Sequence, residues 1–172
     1  MQPTHWATPQ TGQAREPQFA HIHPHGFPLL ALVQSVETGG QRMSGGGRDV
    51  GAHVLVVEDE ADLRTALVEL LSIWGYRVST ARDGREALER LRTGREPLLV
   101  LLDLQMPVMD GDELLDEVSR HPPRRPLRIV VLSANLDAPQ RASHDHVTAA
   151  LRKPVLPERL HATLDAEVSA LH

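Results

Sequence analysis

An α/β fold is predicted for this chain: a doubly wound, five-stranded parallel sheet with helices on both faces. Three observations carry the prediction. Leu98-Leu99-Val100-Leu101-Leu102 is an unbroken apolar run that stops at Asp103, as a strand buried on both faces does. Val54–Val57 and Ile129–Leu132 repeat the pattern and end at Glu58-Asp59-Glu60 and Ser133-Ala134-Asn135. Stretches of helical period separate these runs, the alternation that builds parallel βαβ units.

The elements follow in order from His53. After the Val54–Val57 strand, Leu63, Leu67, Leu70, Leu71 and Trp74 form one apolar helical stripe, which Gly75 ends as the residue after the cap. Tyr76–Thr80 alternates and is rich in strand formers, so it reads as a strand near an edge. Asp83 with Glu86 resembles a capping box, opening a helix that buries Ala87, Leu88 and Leu91 and closes at Gly94. The Asp103 strand is next. Met106-Pro107 stops it from continuing, and Asp110-Gly111 caps a helix carrying Leu114, Leu115 and Val118 inward. His121-Pro122-Pro123-Arg124-Arg125-Pro126 reads as a proline-stiffened loop rather than a nucleic-acid patch. Beyond the Ile129–Leu132 strand, Asp137 to His144 is a thinly patterned helix with Pro139 in its first turn. Thr148–Leu151 is a short last strand ending in Arg152-Lys153-Pro154, and Pro157 starts a final helix with Leu160, Leu164, Val168 and Leu171 on its core stripe.

Residues 1–50 differ from the rest. Pro3, Pro9, Pro17, Pro24 and Pro28 interrupt any period, and Gly39-Gly40 and Gly45-Gly46-Gly47 read as linker. The expectation is a disordered N-terminal extension over 1–50 and a folded domain over 51–172. Within the extension only Phe27–Val36 has the composition to order. His21, His23 and His25 alternate in a way that can bind a metal, though a solvated tail is the plainer reading. Met43, just before the glycine run, is a candidate translation start.

Composition bounds the function. The chain has 172 residues, a net charge of -5 with histidines neutral, 41% hydrophobic residues and no cysteine. That supports one ordinary domain with its own core and excludes disulfide or cysteine-based chemistry; a cytoplasmic protein is expected. No run is long enough for a membrane span, and mild acidity argues against nucleic-acid binding.

Right-handed crossovers bring the ends of parallel strands to one sheet edge, where ligands bind in open α/β folds. Glu58-Asp59, Asp103, Ser133 and Lys153 all fall there. Taken singly, each reads as a helix cap or a solvated loop end; their convergence is harder to dismiss. Two carboxylates about 4 Å apart repel by roughly 4 kcal/mol at an effective dielectric near 20. Acids clustered without histidine or cysteine select a hard cation, and Mg2+ completed by water and phosphate suits them. A carboxylate beside Mg2+ can attack phosphorus to give an acyl phosphate, with Lys153 supplying a point charge and Ser133 a hydroxyl donor to the phosphoryl oxygens.

These residues resemble the receiver domains of two-component response regulators. The resemblance runs from residue 52 to about 171 and rests on Val54–Glu60, Asp103–Gly111, Ser133-Ala134 and Lys153-Pro154 in this order and spacing. It implies a flavodoxin-like sheet of order 2-1-3-4-5. It also implies that Asp103 accepts a phosphoryl group from a phosphohistidine on a sensor histidine kinase or histidine phosphotransfer domain. By the same resemblance Asp59, Asp103 and the Gln105 carbonyl hold Mg2+, with Glu58 ligating directly or through water. Ser133 then moves toward the phosphoryl group, Lys153 pairs with it, and the Lys153-Pro154 bond is cis.

Three features depart from the family pattern. Ala150 stands where an aromatic switch is usual, Ser133 to Lys153 spans 20 positions (153 − 133), about two short, and the usual glycine-alanine before the fifth strand is missing. On this reading the chain is a stand-alone receiver, a regulatory protein that signals through protein contacts or passes phosphate along a relay, with no nucleic acid or membrane as partner. Two alternatives remain: a phosphorylation-silent receiver used only for interaction, and a Mg2+-dependent phosphohydrolase of the haloacid dehalogenase type. Against the latter, Gln105 stands where a second aspartate belongs and no cap domain is evident. No Gly-x-x-x-x-Gly-Lys-Ser/Thr nucleotide loop occurs.

Overall fold

A computed structural model describes residues 52–94, 98–134 and 144–171. Along them run strand β1 (His53–Val57), helix α1 (Ala61–Ile73), β2 (Arg77–Ala81), α2 (Gly84–Thr93), β3 (Leu98–Asp103), α3 (Gly111–Arg120), β4 (Leu127–Ser133), β5 (Val147–Arg152) and α4 (Pro157–Ser169). The strands form one five-stranded sheet of order β2-β1-β3-β4-β5, and every neighbouring pair is parallel. The predicted fold class and strand order are both observed. The N-terminal extension with Phe27–Val36, the alternating His21, His23 and His25, and Met43 lies outside the described residues, as do Asn135 and the helix expected from Asp137; His144 itself stands in the irregular approach to β5.

Strand alternation decides which helices cover which face. Val54, Val56, Leu99, Leu101, Val130, Leu132 and Leu151 point to one side, where Leu63, Leu67, Leu70 and Leu71 of α1 and Leu160 and Leu164 of α4 cover them. Leu55, Val57, Val100, Leu102, Ile129 and Val131 point to the other, against Ala87, Leu88 and Leu91 of α2 and Leu114, Leu115 and Val118 of α3. Every residue of β3 is buried, because it is the central strand and is covered on both sides. At about 1.5–3 kcal/mol for each fully buried Leu or Val, this strand anchors the sheet and the carboxylate at its end.

Helix starts follow the sequence reading with one correction. Asp110 and Glu113 form a reciprocal capping box. Asp83 accepts from the Glu86 N–H, but the Glu86 carboxylate accepts from the N–H of Arg82, one residue before the cap. Gly75 takes φ +89 after α1, the left-handed position that glycine tolerates. Tyr76 precedes β2 rather than opening it; its ring is buried and its hydroxyl donates to Asp165 of α4 at 2.7 Å.

Two buried charges were not anticipated. Arg125, read as loop, is buried and donates to the Arg90 and Leu91 carbonyls at the end of α2. Glu167, outside the predicted core stripe of the last helix, is buried on α4 and accepts from Arg128 of β4.

Candidate functional site

The register of the sheet sets the site. Val57 of β1 lies beside Leu102 of β3, so Glu58 leaves β1 level with Asp103. Asp103 pairs with Leu132, which puts Ser133 one step beyond, and Ser133 pairs with Arg152, which puts Lys153 one step beyond that. Lys153 N donates to the Ser133 carbonyl at 2.9 Å, extending the ladder to the rim, and the Lys153-Pro154 bond is cis. Glu58, Asp59, Asp103, Ser133 and Lys153 thus meet at this edge.

Each side chain is held from below. Asp103 is buried; its Oδ1 accepts from the Gln105 N–H at 3.2 Å and its Oδ2 from Lys153 Nζ at 2.8 Å. Lys153 Nζ also reaches Glu58 Oε2 at 3.3 Å, and Glu58 Oε1 accepts from the Glu60 N–H at 3.3 Å. Asp59 is exposed, yet one carboxylate oxygen each from Glu58, Asp59 and Asp103 lie within 4.8 Å of one another. Ser133 is buried at the end of β4, and Gln105 is exposed beside Asp103.

The loop after β3 wraps tightly. Gly111 N donates to the Leu104 carbonyl at 3.0 Å. A Cβ on Gly111 would lie 2.7 Å from Leu104 Cα and 2.8 Å from the Asp103 carbonyl oxygen, so only glycine lets α3 start this close to the site. At the crest of the loop Val108 adopts φ +73, a costly conformation for a β-branched residue, and is 77% exposed.

The electrostatics are unbalanced. Formally three carboxylates face one ammonium, leaving two excess negative charges. Burial pushes the Glu58 carboxyl up to about 7, the Lys153 ammonium pulls it down, and the Asp103 carboxylate adds to the rise. An all-oxygen donor set with this charge fits a hard divalent ion and offers nothing to a soft one. Lys153 is the sole lysine in the chain, every other fixed cation being arginine. A compact ammonium acts as a point charge in a crowded pocket where a planar guanidinium needs more room.

Comparison with known proteins agrees with the geometry. The family model described as the response regulator receiver domain matches residues 54–165. Transcriptional regulatory protein ZraR of Klebsiella oxytoca is 37% identical over 64% of this chain, and the match takes in 25% of the ZraR length. The chain therefore spans about a quarter of that relative. Chemotaxis response regulator CheY4 of Vibrio cholerae aligns with a TM-score of 0.59 at 33% identity, covering 67% of this chain and 97% of CheY4. The receiver domain of sensor histidine kinase PA1611 from Pseudomonas aeruginosa, solved with a magnesium ion in its active site cleft, aligns with a TM-score of 0.60 at 28% identity over 69% of this chain and 98% of its own. The acids at the sheet edge, the strand order and these likenesses lead to one assignment: the chain belongs to the response regulator receiver domain family of two-component signal transduction.

Proposed function

We propose that Asp103 is the phosphoacceptor, and that Glu58, Asp59, Asp103 and the Gln105 carbonyl hold Mg2+. The observation that carries this reading is the Lys153 ammonium, 2.8 Å from Asp103 and 3.3 Å from Glu58, beside three acids that one cation leaves under-neutralised. Bound Mg2+ would supply charge neutralisation for the phosphoryl oxygens. The protein's own groups do the rest. An Asp103 carboxylate oxygen forms the O–P bond as the P–N bond of a phosphohistidine breaks, and the electron pair leaves with the imidazole nitrogen. Lys153 exchanges its contact with the carboxylate for one with a phosphoryl oxygen, and the Ser133 hydroxyl donates to another.

The donor is then a sensor histidine kinase or a histidine phosphotransfer domain, and the phosphorylated form signals through protein contacts in the cytoplasm. The protein acts as a regulator, catalysing only its own aspartate phosphorylation and dephosphorylation. The receiver unit extends over 51–172. Among the described residues no helix is long and apolar enough to cross a membrane. Ala150 is exposed on β5 at the usual aromatic switch position, which favours as second reading a receiver whose contacts do not depend on phosphorylation.

Incubation with Mg2+ and acetyl phosphate followed by intact mass separates the readings. A single phosphoryl adduct that disappears in Asp103→Asn is expected. No adduct despite Mg2+ binding would favour the phosphorylation-silent module, and turnover of added phosphomonoesters would favour the hydrolase.

A further inference from the structure

The loop that carries Glu58 and Asp59 has an unusual anchor. Three acids in succession leave β1, and Glu60, the N-cap of α1, makes no side-chain cap bond. The carbonyls of Glu58 and Asp59 fall after the strand ladder and before the helix, so neither element supplies their partner. Arg64 does. Its Nη1 donates to the Glu58 carbonyl at 2.7 Å and to the Asp59 carbonyl at 3.0 Å. One guanidinium nitrogen has two hydrogens, and each takes one carbonyl. The Arg64 N–H meanwhile bonds the Glu60 carbonyl at 2.9 Å, so the side chain reaches back from a backbone already fixed in the helix.

We propose that Arg64 is a positioning residue for the metal site: by gripping two successive carbonyls it fixes the backbone from which the Glu58 and Asp59 carboxylates project toward Asp103. This rests on the Mg2+ reading given above. Two effects of Arg64 on Mg2+ oppose each other. Its positive charge, acting through solvent, weakens cation binding by about threefold. Holding two ligands in place strengthens it by the tenfold to hundredfold typical of groups that orient metal ligands. The second is larger, so Arg64 tightens Mg2+ binding although it is a cation.

The experiment is calorimetric titration of the full chain with Mg2+, alongside thermal unfolding in EDTA. In Arg64→Met the Mg2+ dissociation constant is expected to rise about tenfold, and Arg64→Lys, whose ammonium still donates to carbonyls, is expected to recover part of that loss. Should Arg64→Met not fold, Arg64→Gln replaces it with the same expectation, its amide being too short to span both carbonyls. A dissociation constant in Arg64→Met equal to or below that of wild type overturns the inference, whatever happens to the unfolding temperature in EDTA; Arg64 would then be only a staple for α1. Failure of wild type to bind Mg2+ would instead overturn the Mg2+ reading itself.

Discussion

Two groups of buried charge sit at opposite edges of the same sheet and are built differently. At the edge where the strands end, Glu58 and Asp103 are buried and Asp59 is close by, with Lys153 as their cation. At the edge where the strands begin, Arg128 of β4 meets Glu167 of α4 one to one, and Arg125 rests on helix-end carbonyls. There the ion pair is balanced one to one and the Arg125 cation is held by carbonyl dipoles at the end of α2, which ties α4 and α2 to the sheet. The first group carries surplus negative charge that the fold does not neutralise. Buried charge alone does not mark a site; a cluster of like charges left under-neutralised does.

This contrast can be broken at several points. Glu167→Ala leaves the Arg128 cation without its buried partner, and a loss of about 3 to 4 kcal/mol in chemical denaturation is expected, the same with and without Mg2+. A loss that Mg2+ reverses would mean the two edges are not independent.

The next effect is one of pH. Glu58 has a folded value of about 7 against 4.5 for the free group, so between these values the folded protein keeps a proton that the unfolded chain has released. Metal-free stability from this group is therefore highest below about pH 4.5 and falls as pH rises through 7. The ceiling is about 3 kcal/mol, at about 1.4 kcal/mol per unit. Unfolding in EDTA from pH 5 to 8 is expected to show this decline, and Glu58→Gln is expected to remove it. A decline unchanged in Glu58→Gln would place its origin elsewhere.

Neutralising the surplus is expected to help the fold. Asp103→Asn, which on the proposed function also removes the phosphoacceptor, is expected to raise metal-free stability by about 1 kcal/mol, the reverse of what Glu167→Ala does. A destabilised Asp103→Asn would make the site structural. Smallest of all, Val108→Asn at φ +73 is expected to gain about 1 kcal/mol or less, because asparagine tolerates the left-handed region.

Much of this was readable in the chain because its signals are local. The Leu98–Leu102 run states that a strand is buried on both faces, and Asp103 states where burial stops. Cap residues such as Asp83 and Asp110 stand directly before the helices they open, and the stripes of α1 and α4 repeat within a turn. What escaped reading was long-range. Glu167 falls on the flank of an amphipathic helix, where glutamate is ordinarily solvated, and nothing near it signals Arg128, 39 residues away. Arg125 sits in a proline-rich loop whose basic character describes a surface, yet its guanidinium packs against Gly94 so closely that a Cβ there would lie 1.9 Å from Nη1. Arg64 is one charge among several on α1, and nothing in its own residue type marks the two carbonyls it grips. The lone lysine was a signal in plain view, since a chain that otherwise uses arginine throughout keeps its single ammonium at the site.

Period, caps and strand-end acids thus specified the elements, their order and which residues reach the active edge, because each depends on neighbours a few positions apart. How far along that edge each residue lands was settled by pairing between distant segments. Between Ile129 and Val130 the β4–β5 register shifts by one residue, so that Ser133 pairs with Arg152 and not with Leu151. Without that bulge Lys153 would stand one strand step, about 3.3 Å, further from Asp103, beyond hydrogen-bond reach of the carboxylate it now touches. A bulge is a compromise between two strands and the layers packed on them, and no single segment of sequence encodes it.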